Sequence, residues 1–262
     1  MTKADAHIDA LFALENRDGS SDVLLVCEHA SNHFPPAFGT LGLPDAARKA
    51  HIAWDPGALG LARGLAQRLD AGLAHAGVSR LIYDLNRAPN EPGAIAEKSE
   101  AYEITGNTGL TSAQRWQRTE AVYLPFHHAL HTEIARRIAL GRPPVLITIH
   151  SFTPVYFGKA REVEFGVIHD QDPRLAHDVV ANALAMTQLK TALNEPYSAA
   201  DAVTHTLRLH ATPYGLRAVM LEIRNDLLAS PEAEAKMADL LAPVLRAAIA
   251  GRATATSKKA VI

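Results

Sequence analysis

Apolar residues in this chain fall into two patterns. One is the short unbroken run: Val23-Leu24-Leu25-Val26, Leu81-Ile82-Tyr83, Val145-Leu146-Ile147-Thr148-Ile149 and Ala218-Val219-Met220-Leu221. A continuous run of this length reads as a strand buried on both faces. The runs predict strands over 23–28, 79–84, 144–150 and 217–223, with a further strand over 163–169. The other pattern is helical. Leu61, Leu65 and Leu69, with Ala62, Ala66 and Leu73, form a stripe at helical spacing. Asp55-Pro56 before it has the form of an N-cap followed by proline in the first turn. Further helices are predicted over 112–140, kinked or broken near Pro125, over 173–186, and from Ser230-Pro231-Glu232 to about Ala250. Residues 252–262 read as a loose tail. Residues 88–113 and 187–213 are irregular and long enough to be site-covering loops. Alternating strands and helices predict an α/β fold, a mixed and mainly parallel sheet flanked by helices, in one domain over 1–262.

Each predicted strand ends in polar residues. Cys27-Glu28-His29-Ala30-Ser31-Asn32 follows the first, Asp84-Leu85-Asn86-Arg87 the second, His150-Ser151 the third and Glu222-Ile223-Arg224-Asn225-Asp226 the last. Open α/β sheets bind ligands at the carboxyl ends of their strands. Two histidines at such ends, joined by one carboxylate, would make a catalytic zinc site, which takes three protein ligands and a water. Asp55 is the first candidate for that carboxylate and Glu28 the alternative, because neighbours on an extended strand face opposite ways. Asn32 is placed to orient a ligand or substrate. Glu222 is the candidate general base, with an ion pair to Arg224 as its competing role. Asn86-Arg87 suits a substrate carboxylate, which arginine grips bidentately, with Asp84 holding the arginine or the loop. His210 is a candidate substrate or oxyanion binder, and Arg224 lies on Glu222's face.

Other residues read as structural. Cys27 is a small buried strand residue, Ser151 a backbone hydrogen-bonder, His127 or His128 a partly buried helix residue, and Trp54 and Trp116 core packers. Composition narrows the functions. In 262 residues with 48% hydrophobic content, the formal net charge is −2 and basic residues are scattered. Nucleic acid and anionic membranes are therefore not expected partners. A single cysteine excludes an intramolecular disulfide framework. The opening Met1–His7 is polar where a secretory leader is apolar, and no segment has the roughly 18 apolar residues of a membrane span. A cytoplasmic protein is expected.

The four motifs Cys27–Asn32, His51-Ile52-Ala53-Trp54-Asp55-Pro56-Gly57-Ala58, Tyr83–Arg87 and Leu221–Asp226, in this order across about 22–228, resemble the N-formylglutamate amidohydrolase family. The resemblance implies a phosphorylase/hydrolase-like α/β fold within the zinc carboxypeptidase and aspartoacylase group. It implies His29 and His150 as zinc ligands, Asn86 and Arg87 as carboxylate binders and Glu222 as general base. Where the wider group has a ligand Glu three residues after the first His, this chain has Asn32, and Asp55 is the substitute. The expected activity is metal-assisted cleavage of the N-formyl or N-acyl amide of a small carboxylate-bearing amino acid. The same chemistry on another N-acyl amino acid or a peptide, and a non-catalytic binding protein on this scaffold, are the alternatives. A serine hydrolase is less expected without a Gly-x-Ser-x-Gly elbow.

Overall fold

The computed structural model describes residues 11–257, with side chains through Gly251. A seven-stranded sheet runs through it. In chain order its strands are β1 (Phe12–Glu15), β2 (Val23–Cys27), β3 (Gly72–Ala76), β4 (Val145–Phe152), β5 (Phe165–Ile168), β6 (Thr191–Leu193) and β7 (Ala218–Arg224). In space the order is β1-β3-β2-β4-β7-β5-β6. The β3/β2, β2/β4, β4/β7 and β5/β6 pairs are parallel, and the β1/β3 and β5/β7 pairs antiparallel. The helices of six or more residues are α1 (Ala58–Leu69), α2 (Ser112–Arg118), α3 (Leu124–Ala139), α4 (Arg174–Met186), α5 (His205–His210) and α6 (Pro231–Ser257), and a single α-helical turn lies at Asp45–Lys49. None among the described residues is long and apolar enough to cross a membrane.

Strand side chains alternate between two hydrophobic layers, as a period of two requires. Val23, Leu25, Ile147, Ile149, Val219 and Leu221 face α1, α4 and α6. Leu24, Val26, Leu146 and Met220 face Phe126, Leu130 and Ile134 of α3 and the long loops. The parity has a functional consequence. His150 and Glu222 share the parity of Leu146 and Met220, so both turn to the loop-covered face, and they are paired in the β4/β7 register.

Several expectations are revised. Residues 79–84 are not a strand. The sheet takes Gly72–Ala76 instead, and 79–84 form a turn-rich loop whose amides bond to other loops, Ser79 N–H to His33 O and Asp84 N–H to Ala94 O. Leu73 therefore leaves the helical stripe. Asp70, in the left-handed region at φ 49°, ends α1 at Leu69. Gly72 then lets the Arg137 guanidinium reach the sheet, where a Cβ would stand 2.6 Å from it. The 112–140 helix is interrupted just before Pro125, as expected, although the chain stays helical through the interruption. A π-helical turn over Thr119–Tyr123 absorbs the proline's missing N–H and ring clash, joining α2 to α3. The last helix continues to Ser257 rather than ending near Ala250; 258–262 lie outside the described residues. Trp116 is 54% exposed, not in the core, while Trp54, partly buried, packs against the core.

Candidate active site

The loops after β2 and β3 are tied together beneath the sheet's carboxyl edge. Asp55 N–H donates to His29 O at 2.9 Å, which sets Asp55 beside the histidine 26 residues earlier. Arg80 N–H and the Ser79 hydroxyl both donate to Ala53 O. Asp55 does not cap α1: the N-cap is Gly57, at φ 78°, and makes no side-chain cap. A Cβ on Gly57 would stand 2.4 Å from Leu228 Cβ, so only glycine lets the chain turn there. That turn leaves the Asp55 carboxylate free to point inward.

Three ligand atoms converge. His150 Nδ1 lies 2.9 Å from Asp55 Oδ2 and 3.2 Å from His29 Nδ1, and His29 Nδ1 lies 3.3 Å from Asp55 Oδ2. All three residues are buried and form the group that could hold a metal ion. Their partners fix the protonation. His29 Nε2 faces Asp84 Oδ1 at 2.7 Å and His150 Nε2 faces Glu28 Oε2 at 3.2 Å. A carboxylate only accepts, so His29 donates Nε2–H to Asp84 and, as a neutral ring, presents its Nδ1 lone pair inward; the His150–Glu28 approach is an ion-pair distance rather than a hydrogen bond. Two ring nitrogens and a carboxylate oxygen facing one another make a donor set for a cation. Two of the separations, 3.2 and 3.3 Å, are close to the roughly 3.3 Å between ligands of a tetrahedral ion with bonds of about 2.0–2.1 Å, and the 2.9 Å His150–Asp55 contact is shorter. The donor set fits zinc, and the carboxylate behind each histidine is the arrangement that orients metal-bound imidazole.

Electrostatics agree. Burial and the Arg80 charge disfavour a cationic His29, yet Asp84 and Asp55 hold its pKa above the usual value. Burial likewise opposes a cationic His150, but Glu28 and Asp55 hold it well above normal. Asp55 is buried too, and the two histidines keep it ionised. The pocket thus attracts positive charge. Glu28, the alternative ligand, sits behind His150 on the far side from Asp55 and does not join the convergent set.

Glu222 lines the same cavity, of about 670 Å³. Burial raises its carboxyl pKa to about 7, Asp55 adds to the rise and His150 opposes it. Its Oε2 has no hydrogen-bond partner, and no ion pair with Arg224 forms. Across the sheet stands Gly166, where a Cβ would come within 3.2 Å of Glu222 Cβ and 2.0 Å of Glu195 O. Arg87 lines the cavity, donating Nη1–H to Asp201 O at 2.7 Å.

Several expected residues stand elsewhere. Asn86 borders the cavity, but its amide is committed: it donates to Val203 O and accepts from Thr206 N–H. It holds the covering loop rather than offering a free amide. Asn32 is not among the lining residues. His210 is buried against His127, 2.8 Å away, and lines a separate apolar groove with His128 and His131. Arg224 is bound to Asp226 and Glu164, outside the cavity. Asp84 supports His29 and is ion-paired to Arg80, not to Arg87. Cys27 is fully buried, and the Ser151 hydroxyl donates to Pro56 O. Missed from the sequence were Arg80, which bridges Asp55 and Asp84, and the wall residues His51, Tyr156, Arg161 and Tyr197. Of these, only His51 had a signal, since it opens the second of the four motifs.

Comparison with known proteins adds to this geometry. The N-formylglutamate amidohydrolase family model matches residues 21–229. The solved structure of a gene product from Agrobacterium tumefaciens superposes with a TM-score of 0.91 at 48% identity, covering 94% of this chain and 97% of that one. The N-formylglutamate amidohydrolase from Ralstonia eutropha JMP134 shares the fold, with a TM-score of 0.69 at 19% identity, covering 94% of this chain and 99% of that one. None of the curated proteins matches the chain.

Proposed function

Since the chain belongs to the N-formylglutamate amidohydrolase family, we propose that it is a metal-dependent hydrolase. Its substrate is the N-formyl or N-acyl amide of a small carboxylate-bearing amino acid such as N-formylglutamate. The observation that carries the reading is the convergence of His29 Nδ1, His150 Nδ1 and Asp55 Oδ2 beside an unpartnered Glu222. A zinc ion held by those three residues supplies a Lewis acid that acidifies water and polarises the amide carbonyl.

This chain's own residues do the rest. Glu222, held near neutrality by burial, takes a proton from the attacking water and delivers it to the departing nitrogen. The new C–O bond forms first, and the C–N bond then breaks as the nitrogen receives the proton, giving formate or another carboxylate and the free amino acid. Arg87 holds the substrate carboxylate with the part of its guanidinium not bonded to Asp201 O. Asp84 and Glu28 fix the rings of His29 and His150 from behind.

Glu222→Gln tests the assignment. It keeps the shape and removes the base, so turnover of N-formylglutamate falls by about 10²–10⁴-fold while zinc content stays at the wild-type level. A variant that retains wild-type turnover sinks the role of Glu222.

A further inference from the structure

The cationic side chains around the cavity are not equivalent. Arg80 is ion-paired with Asp84 and Asp55, Lys98 with Glu103, and His51 with Glu100. Two arginines remain that pair with no acid among the described residues. One is Arg87, already given a substrate carboxylate. The other is Arg161, which no reading of the sequence singled out.

Arg161 is set like a tool in a holder. Its guanidinium lies 4.5 Å from the Tyr156 ring centre, 5.0 Å from that of Tyr197 and 5.5 Å from that of Phe152. Nη2–H donates to the Tyr197 hydroxyl at 3.0 Å, and Nη1 approaches Thr153 O at 3.4 Å. The backbone is fixed as well: Arg161 N–H donates to Pro154 O, and Arg161 O accepts from Arg224 Nη1. Arg224 is itself held by Asp226 and Glu164, so it braces the segment that carries Arg161. Ring faces hold a guanidinium without neutralising it, and the bonds to Tyr197 and Thr153 use two of its five N–H donors. The Tyr197 phenol is raised by burial first and then by the Glu222 charge, which puts this corner of the cavity beside the proposed base.

We infer that Arg161 is the specificity-determining residue for a second carboxylate on the substrate, so that the site selects N-acyl derivatives of acidic amino acids over neutral ones. Arg87 and Arg161 come from different loops, after β3 and after β4, and line one cavity of about 670 Å³. That is room enough for an anion held at two points. The inference rests on the hydrolase reading for the identity of the reacting amide, but not for the recognition itself.

The experiment is therefore done on binding and on turnover. With the zinc-supplemented full chain, calorimetry compares glutarate with glutaramate, its neutral-ended analogue. Kinetics compare N-formyl-L-glutamate with N-formyl-L-glutamine. Wild type prefers the dianion in both assays. Arg161→Gln loses about tenfold to a hundredfold of that preference, the loss of one charge-assisted contact, chiefly in KM and with little change in kcat. Arg161→Lys keeps the charge without the fork and falls between, which also covers a Gln variant that fails to fold. A folded Arg161→Gln that keeps the wild-type preference overturns the inference. If wild type hydrolyses no N-acyl amino acid yet binds glutarate through Arg161, the hydrolase reading falls and the carboxylate site stands.

Discussion

Replacing Asp84 by Asn separates metal recognition from folding. Asp84 accepts from His29 Nε2–H at 2.7 Å and from Asn86 N–H at 2.9 Å, and its second oxygen is ion-paired with Arg80. Asn is nearly isosteric but brings an amide donor and no charge. Two effects follow. The His29 ring loses the carboxylate that keeps its proton on Nε2 and its lone pair on Nδ1, and partners of this kind are worth about 10–100-fold in metal affinity. Arg80 loses one of its two counter-charges. Breaking a fully buried pair costs about 3–5 kcal/mol, but Arg80 is 28% exposed and keeps Asp55, so about 1–2 kcal/mol is expected here. The assay is zinc affinity by chelator competition, with urea unfolding of the metal-free protein measured alongside. A control lies far from the site. Glu133, bonded to Arg17, Arg136 and Arg137, gives a Gln variant that is destabilised by about 3 kcal/mol and binds zinc normally. If Asp84→Asn loses stability but holds zinc as tightly as wild type, the support of His29 by Asp84 is wrong.

Other expectations follow from the same contacts. Glu28→Ala removes the partner of His150 Nε2 and lowers zinc affinity by about tenfold, whereas Glu28→Gln, which still accepts, lowers it less; equal effects would contradict the orienting role. Burial opposes a charged ring, but the neighbouring carboxylates raise both histidine pKa values above that of free imidazole, so protons compete with zinc for these nitrogens and zinc binding weakens as pH falls; zinc affinity measured across pH reads the competition, and a pH-independent affinity would contradict the assignment. For Glu133, burial pushes the carboxyl up but bonds from Arg136, Arg137 and Arg17 outweigh it and hold it at about 2. Its stabilisation is therefore full above the ordinary value of about 4.3 and is lost as pH falls towards 2; acid unfolding of wild type and Glu133→Gln should converge there. Gly166→Ala drives a Cβ into Glu195 O and against Glu222, costing about 1–3 kcal/mol and lowering turnover; an active variant of wild-type stability would mean that this wall yields freely.

The site was legible where its chemistry sits on the sheet. His150 and Glu222 end long aliphatic runs, and strand parity sets them side by side on one face. His29 follows such a run by two residues. Asp55 was harder, because Asp-Pro-Gly before a helix is also capping chemistry; the left-handed Gly57 takes the N-cap position and leaves the Asp55 carboxylate turned inward. The reading went wrong at β3. Gly72-Leu73-Ala74-His75-Ala76 lacks the branched residues of a strand, and Leu81-Ile82-Tyr83 nearby has them, yet the sheet uses the former. Small residues suffice there because α1 ends sharply at Asp70 and the strand is buried on both faces. The arginine at 161 had no periodic signal, since hairpin and loop contacts between distant segments position it. Asn86 and His210 were of suitable chemical type, but their hydrogen bonds are already taken by backbone and by His127.

Metal content of wild type and Asp55→Ala, by elemental analysis after zinc reconstitution, tests the central claim most directly. The convergent triad predicts about one zinc per wild-type chain and its loss from the variant, with the fold retained. A wild-type chain that takes up no zinc, or an Asp55→Ala chain that binds it as well, would contradict the metallohydrolase account.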